Sequence, residues 1–192
     1  MSIADADTEA MLRLKDGDDL ALNELMTRWQ QPLANYLLRF CGDEATALDL
    51  AQDTFVRVFE SRARYDTRGK FATWLFIIAG NLARNSHRWH QRHPTVSFDA
   101  QTDENRGTLV THLADAAPAP DANAEQSERS AAVRTAIAEL PGNLRAAVLL
   151  SEYEDLSHAD IAAVLACTPK AVETRLYQAR QTLREKLGRW LK

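Results

Sequence analysis

Two helix-start signals in close succession near the carboxy terminus restrict this chain more than any other feature. Ser157 stands three positions before Asp160, and Thr168 is followed at once by Pro169. Ser and Thr cap a helix by accepting from backbone N–H groups that the first turn leaves unpaired, and proline at the first helical position gives up an N–H that had no partner to lose. Ile161, Val164 and Leu165 form the inner face of the first segment. Val172, Leu176, Ala179, Leu183 and Leu187 recur at helical spacing along the second. Two short amphipathic helices joined by a tight turn make a helix-turn-helix.

The outward positions of the second helix are Lys170, Glu173, Thr174, Tyr177, Gln178 and Gln181, with Thr168 at its cap and Arg175, Arg180 and Arg184 flanking. Such side chains can read base edges and hold phosphates. From spacing alone, a helical hairpin with a solvated outer face is the alternative.

A net charge of -4 argues against a nucleic-acid binder until its distribution is read. Residues 1–60 carry 12 acids against 5 bases and should avoid DNA. Residues 61–93 carry 7 bases against a single acid, Asp66, and residues 168–192 carry 7 bases against 2 acids. Both basic blocks should attract phosphate. Between them lies an acidic, alanine-rich stretch with Pro118 and Pro120 and little apolar periodicity, which reads as a tether.

The expected fold class is therefore all-α: two small helical domains, over 1–94 and 126–192, joined by a flexible linker over 95–125. Helical periodicity predicts segments near 8–15, 18–40, 44–60 and 71–89, then 126–140 and 143–153 ahead of the helix-turn-helix. No stretch alternates with period two over strand length.

In the third predicted helix, Leu48, Ala51, Phe55, Val58 and Phe59 form the inner stripe, leaving Asp49, Gln52, Asp53, Val56 and Arg57 outside. An exposed valine among charges points to a protein partner, and a merely solvated face is the rival reading. The fourth runs from an aromatic end into amides and arginines: Trp74, Ile77, Asn81, Arg84 and Arg88 share a face, with Asn85 beside it. That sequence suits stacking on unpaired bases and gripping their backbone. Ahead of it, the basic loop with Arg62, Arg64, Tyr65, Arg68 and Lys70 could cup a base swung out of the stack.

Cys41 and Cys167 belong to no metal-ligand or redox spacing and read as free thiols. His87, His90 and His93 drift around a helix with no accompanying ligand, so no metal or other cofactor is expected. Nor is an enzyme: Ser157 is accounted for by capping, and no catalytic triad or phosphate-binding glycine loop can be assembled. With no apolar run of about eighteen residues and no basic, apolar leader, the chain should remain in the cytoplasm.

At Asp49-Leu50-Ala51-Gln52-Asp53-Thr54-Phe55 the chain is similar to a D-L-x-Q-E/D-x-F signature. Residues 71–81 resemble an F-x-x-W-L-x-x-I-A-x-N stretch, and Leu140-Pro141 precedes the helix-turn-helix. Together these motifs resemble the extracytoplasmic-function group of the sigma-70 family, bacterial subunits that give RNA polymerase its promoter specificity. The resemblance implies that Asp49, Gln52 and Asp53 dock on the coiled coil of the polymerase's largest subunit, with Val56 and Arg57 joining. It implies capture of a flipped base of the minus-ten element by the Arg62–Lys70 loop and Asn81, nominating Tyr65, Arg68 and Asn81, with Trp74 matching an aromatic associated with strand opening. It implies that the helix-turn-helix reads the minus-thirty-five element while touching the polymerase flap, and that a cognate anti-sigma protein wedges between the domains. Glu173 and Gln178 stand where relatives often carry basic residues, so an altered minus-thirty-five preference is expected. A stand-alone helix-turn-helix regulator, binding duplex DNA without polymerase, is the competing reading.

Overall fold

A computed structural model describes residues 3–92 and 124–190. Most of the predicted linker, and His93, lie outside these residues. Among the described residues every regular element is helical: α1 (Ile3–Lys15), α2 (Ala21–Cys41), α3 (Glu44–Ser61), a 3-10 turn over Arg62–Arg64, α4 (Phe71–Arg92), α5 (Ala124–Ala138), α6 (Gly142–Glu152), α7 (His158–Val164), α8 (Pro169–Lys186) and a terminal 3-10 turn at Gly188–Trp190.

Local chemistry sets the boundaries. Gly42 ends α2 in the left-handed conformation (φ 79°), its N–H donating to the Leu38 carbonyl. Asp43 follows immediately and caps α3, its carboxylate accepting from the Thr46 N–H at 2.7 Å. With no spacer between them, α2 and α3 pack closely side by side. In the helix-turn-helix both predicted caps form: Ser157 Oγ accepts from the Asp160 N–H and Thr168 Oγ1 from the Ala171 N–H, each at 3.2 Å. The turn between them passes through Ala166 at φ 49°, a conformation that costs a non-glycine residue about 1–2 kcal/mol.

Helix α1 begins five residues before the predicted start at 8, and Asp7, in its second turn, is held by tertiary contacts that periodicity does not register. The Asp7 carboxylate is 2% exposed, accepting from Arg28 Nε at 2.8 Å and from the Trp29 indole N–H at 2.9 Å. Next to this polar node lies an aromatic core in which Tyr36 meets Phe76 edge-on at 5.2 Å and Trp29 meets Phe71 and Phe76 at just over 6 Å. Such edge-on pairs place positive ring edges against negative faces.

The two halves are not held apart. They share one continuous buried core, with α4 packed on α7 and α2 on α5 and α6. Helix α6 is apolar on nearly every face because it is sandwiched between α8 and α2. Polar links reinforce this seam. The Arg145 guanidinium donates to the Phe40 carbonyl at 2.6 Å, to the Leu140 carbonyl at 3.1 Å and to the Ala138 carbonyl, so one cation serves the carbonyl ends of α2 and α5. Arg39 lies 4.2 Å over the Tyr153 ring.

Candidate polymerase and promoter interface

The outer face of α3 is built by its inner one. Leu48, Ala51, Thr54, Phe55 and Val58 are buried, which turns Asp49, Gln52, Asp53, Val56 and Arg57 outward. Val56 is 54% exposed within this acidic strip. Arg57 faces Glu60 at 3.7 Å, an exposed pair one helical turn apart.

The basic loop is arranged differently from the expectation of a free aromatic. Tyr65 is 3% exposed, its ring 5.3 Å from Trp74 and 6.3 Å from Phe71, and its hydroxyl donates to the Gly69 carbonyl. Lys15 of α1 donates to the Tyr65 carbonyl at 3.1 Å. The ring of Tyr65 is therefore a packing element that shapes the loop rather than a stacking platform for a base, since burying an aromatic outweighs leaving it in water. Trp74 is half-buried beside it.

The remaining loop cations are placed individually. Arg62 folds back over the Phe59 ring at 4.1 Å, Arg64 is exposed, and Arg68 clasps Asp66 through Nε and Nη2. The side-chain and backbone hydrogen bonds from Arg68 pull the Asp66 carboxyl down to about 2. Lys70 reaches across the seam to Asp160 at 2.8 Å, where Thr73 Oγ1 also donates at 2.9 Å. Burial of Asp160 works against its charge, but the hydrogen bonds from Lys70, Ser157 and Thr73 outweigh it and hold the carboxyl below its ordinary range.

Along α4 the amides and arginines interlock: Asn81 Oδ1 accepts from Arg84 at 2.7 Å and Asn85 Oδ1 from Arg88 at 2.9 Å. Asn81, Asn85 and Arg88 are exposed and Arg84 half-buried.

On α8 the base-reading candidates divide. Lys170, Glu173, Thr174, Tyr177, Gln178 and Gln181 are exposed, Tyr177 at 65%. Lys170 pairs with Glu173 at 2.6 Å, raising the lysine and lowering the carboxyl through their hydrogen bond. Arg175 instead turns back toward the body, donating to Cys167 Sγ at 3.3 Å, and Arg180 crosses to Glu152 of α6 at 2.7 Å.

Sequence reasoning missed Asp160 and Arg145 as seam residues. Asp160 was visible only as part of a helix cap, and its partners Lys70 and Thr73 lie in the other half of the chain. Among the described residues no three potential ligands gather into a metal set, and no helix is long and apolar enough to cross a membrane.

The sigma-70 region 2 family matches residues 25–93 and the sigma-70 region 4 family matches residues 130–183. The RNA polymerase sigma-H factor of Pseudomonas aeruginosa is 30% identical, over 95% of this chain and 94% of that protein. The ECF RNA polymerase sigma-E factor of Haemophilus influenzae is 31% identical, over 91% of this chain and 92% of its own length. The chain belongs to the extracytoplasmic-function group of the sigma-70 family. For this sigma factor, region 2 takes in most of α2 together with α3, the basic loop and α4, while region 4 takes in most of α5 and runs through α7 into α8. The Asp160 seam thus joins region 2 to region 4. Its fold is similar to that of CnrH, solved in complex with the cytosolic domain of CnrY, at a TM-score of 0.69 with 25% identity over 95% of this chain and 97% of that one. The sigma factor RpoE, solved with the anti-sigma factor NepR from Bartonella quintana, shares the fold at a TM-score of 0.63 and 20% identity, over 86% of this chain and 96% of that one.

Proposed function

We propose that this alternative sigma factor docks on core RNA polymerase through α3, engages the minus-ten element with its basic loop and α4, and reads the minus-thirty-five element with α8. The observation that carries the reading is the α3 face, where Asp49, Gln52, Asp53 and Arg57 surround an exposed Val56 on a helix whose other side is fully committed to the core. A solvated face gains nothing from an exposed valine, whereas a protein contact does.

In the minus-ten role, Arg64, Arg68, Asn81, Asn85 and Arg88 are accessible to a single strand, with Trp74 at the base of the loop and Tyr65 holding the loop's shape. Arg68 must exchange Asp66 for phosphate or base, and Lys70 must leave Asp160. In the minus-thirty-five role, Lys170, Glu173, Thr174, Tyr177, Gln178 and Gln181 face outward. The chain acts by binding and without covalent chemistry, and work on polymerase and promoter DNA implies action in the cytoplasm. The likeness to CnrH, solved with a bound protein, supports regulation by a cognate anti-sigma partner.

The test is binding of the purified chain to core polymerase beside a variant with Asp49→Ala, Gln52→Ala and Asp53→Ala, followed by promoter opening. Tight binding that the variant loses, with strand opening only when chain and polymerase are both present, is expected. Tight duplex binding alone, with none to polymerase, would hand the case to a stand-alone regulator.

A further inference from the structure

Between the carboxy-terminal half of α4, the start of α6, the turn after α7 and the second turn of α8 lies a cleft of about 420 Å³. Arg84 and Arg88 line it from region 2, Arg175 and Asn143 from region 4. Among the described residues that line it there is no carboxylate. The hydrogen bonds that these arginines donate to described residues reach neutral acceptors: the amide oxygens of Asn81 and Asn85, the Arg84 carbonyl, and Cys167 Sγ. Elsewhere Arg28, Arg68 and Arg180 each sit on a carboxylate. Three arginines lining one partly enclosed space concentrate like charge there, and an anion relieves their repulsion with charge-assisted hydrogen bonds.

The rest of the wall is apolar, with Phe40 and Leu165 prominent. Arginines beside an apolar surface, in a volume within the usual range for small-molecule sites, suit a ligand that carries phosphate at one end and a flat ring at the other. Beside the cleft α4 runs close to α7: a Cβ on Gly80 would meet Arg84 Nη1 at 3.4 Å and Val164 Cγ1 at 3.7 Å, ordinary van der Waals distances.

We propose that this cleft binds a phosphate-bearing small molecule of nucleotide size, and that the ligand fastens region 2 to region 4. It contacts both halves at once, so its binding energy adds to the closed arrangement. A bound ligand also occupies Arg88, which the proposed minus-ten role uses, so ligand and promoter compete for it. Only this last consequence rests on the function proposed above.

The experiment is isothermal titration of the full chain at constant ionic strength, with ATP and tripolyphosphate as probes and sulfate as a control for charge alone. Saturable one-to-one binding of ATP is expected, weakened about tenfold or more by Arg84→Ala combined with Arg175→Ala. Arg134→Ala, which lies in a separate cleft, should leave it unchanged. Asn143→Asp keeps all three arginines and sits in the first turn of α6, where an acid is tolerated, so it tests the site even where the double variant does not fold. It too should weaken ATP. No saturable binding, or binding unaffected by either change, overturns the proposal. So does binding of a single-stranded hexanucleotide, sensitive to these variants, without any binding of ATP, since the arginines would then serve nucleic acid alone. ATP binding by a chain that fails to open promoters would count against the proposed function and leave this site standing.

Discussion

Glu173 and Gln178 carry the sharpest consequence of any single residues. Both are exposed on the outward side of α8, where a carboxylate can accept from cytosine N4 and an amide can pair with adenine. Each such contact is worth roughly 1–3 kcal/mol of discrimination. Selection from randomised promoters should therefore return different minus-thirty-five bases for Glu173→Lys and Gln178→Arg than for the native chain. Identical selections would show that neither side chain reads sequence. Glu173 is already paired with Lys170 at 2.6 Å, so under the proposed reading the lysine would offset its repulsion from phosphate. Tyr65 illustrates the opposite case. Its type and its loop suggested a base contact, but its burial against Trp74 and Phe71 gives it a different task.

The helices themselves were largely legible from local chemistry. Ser157, Thr168 and Pro169 mark their starts with interactions made within a single turn, so no distant partner is needed to read them. Thr168→Ala should destabilise the region 4 half by about 1 kcal/mol, measured by denaturant unfolding, because the Ala171 N–H loses its acceptor. The outward strip of α3 was legible for the same reason: its periodicity is complete within one helix, and Val56 emerges at the predicted place. Helix α6 was legible as a helix but not as a sandwiched one, since apolar residues on all faces do not say which elements cover them. The early start of α1 escaped because Asp7 answers to Arg28 and Trp29, some twenty residues away.

The packing of region 2 on region 4 gives the molecule its own conformational chemistry. The Lys70–Asp160 pair is partly exposed and worth about 1 kcal/mol, which changes a closed-to-open ratio several-fold. Asp160→Ala should raise the radius of gyration in small-angle scattering at unchanged helix content, beyond any effect of Ser157→Ala, which loses the cap and one hydrogen bond to Asp160 but keeps the links across the seam to Lys70 and Thr73. Glu154, in the turn after α6, adds a pH term. Burial pushes its carboxyl up to about 7, opposed by Arg39 and reinforced by Asp155. Its folded form therefore holds the proton that the unfolded chain releases from about 4.5 upward, so this contribution to stability is present at low pH and lost as pH rises toward 7. Glu154→Gln should flatten that fall in melting temperature between pH 5 and 8, by on the order of 1 kcal/mol after solvent screening. An unchanged profile would place the titration elsewhere.

By itself the sequence determined the helical class, the helix-turn-helix, the acidic strip of α3 and the two basic blocks, because each depends on contacts within a few residues or on composition. Only the tertiary structure decided that Tyr65 is buried, that Asp160 and Arg145 bridge the halves, and that Arg84, Arg88 and Arg175 face one cleft. Those outcomes depend on pairs of residues tens of positions apart, and a chain read locally carries no mark of which distant partner will share its burial.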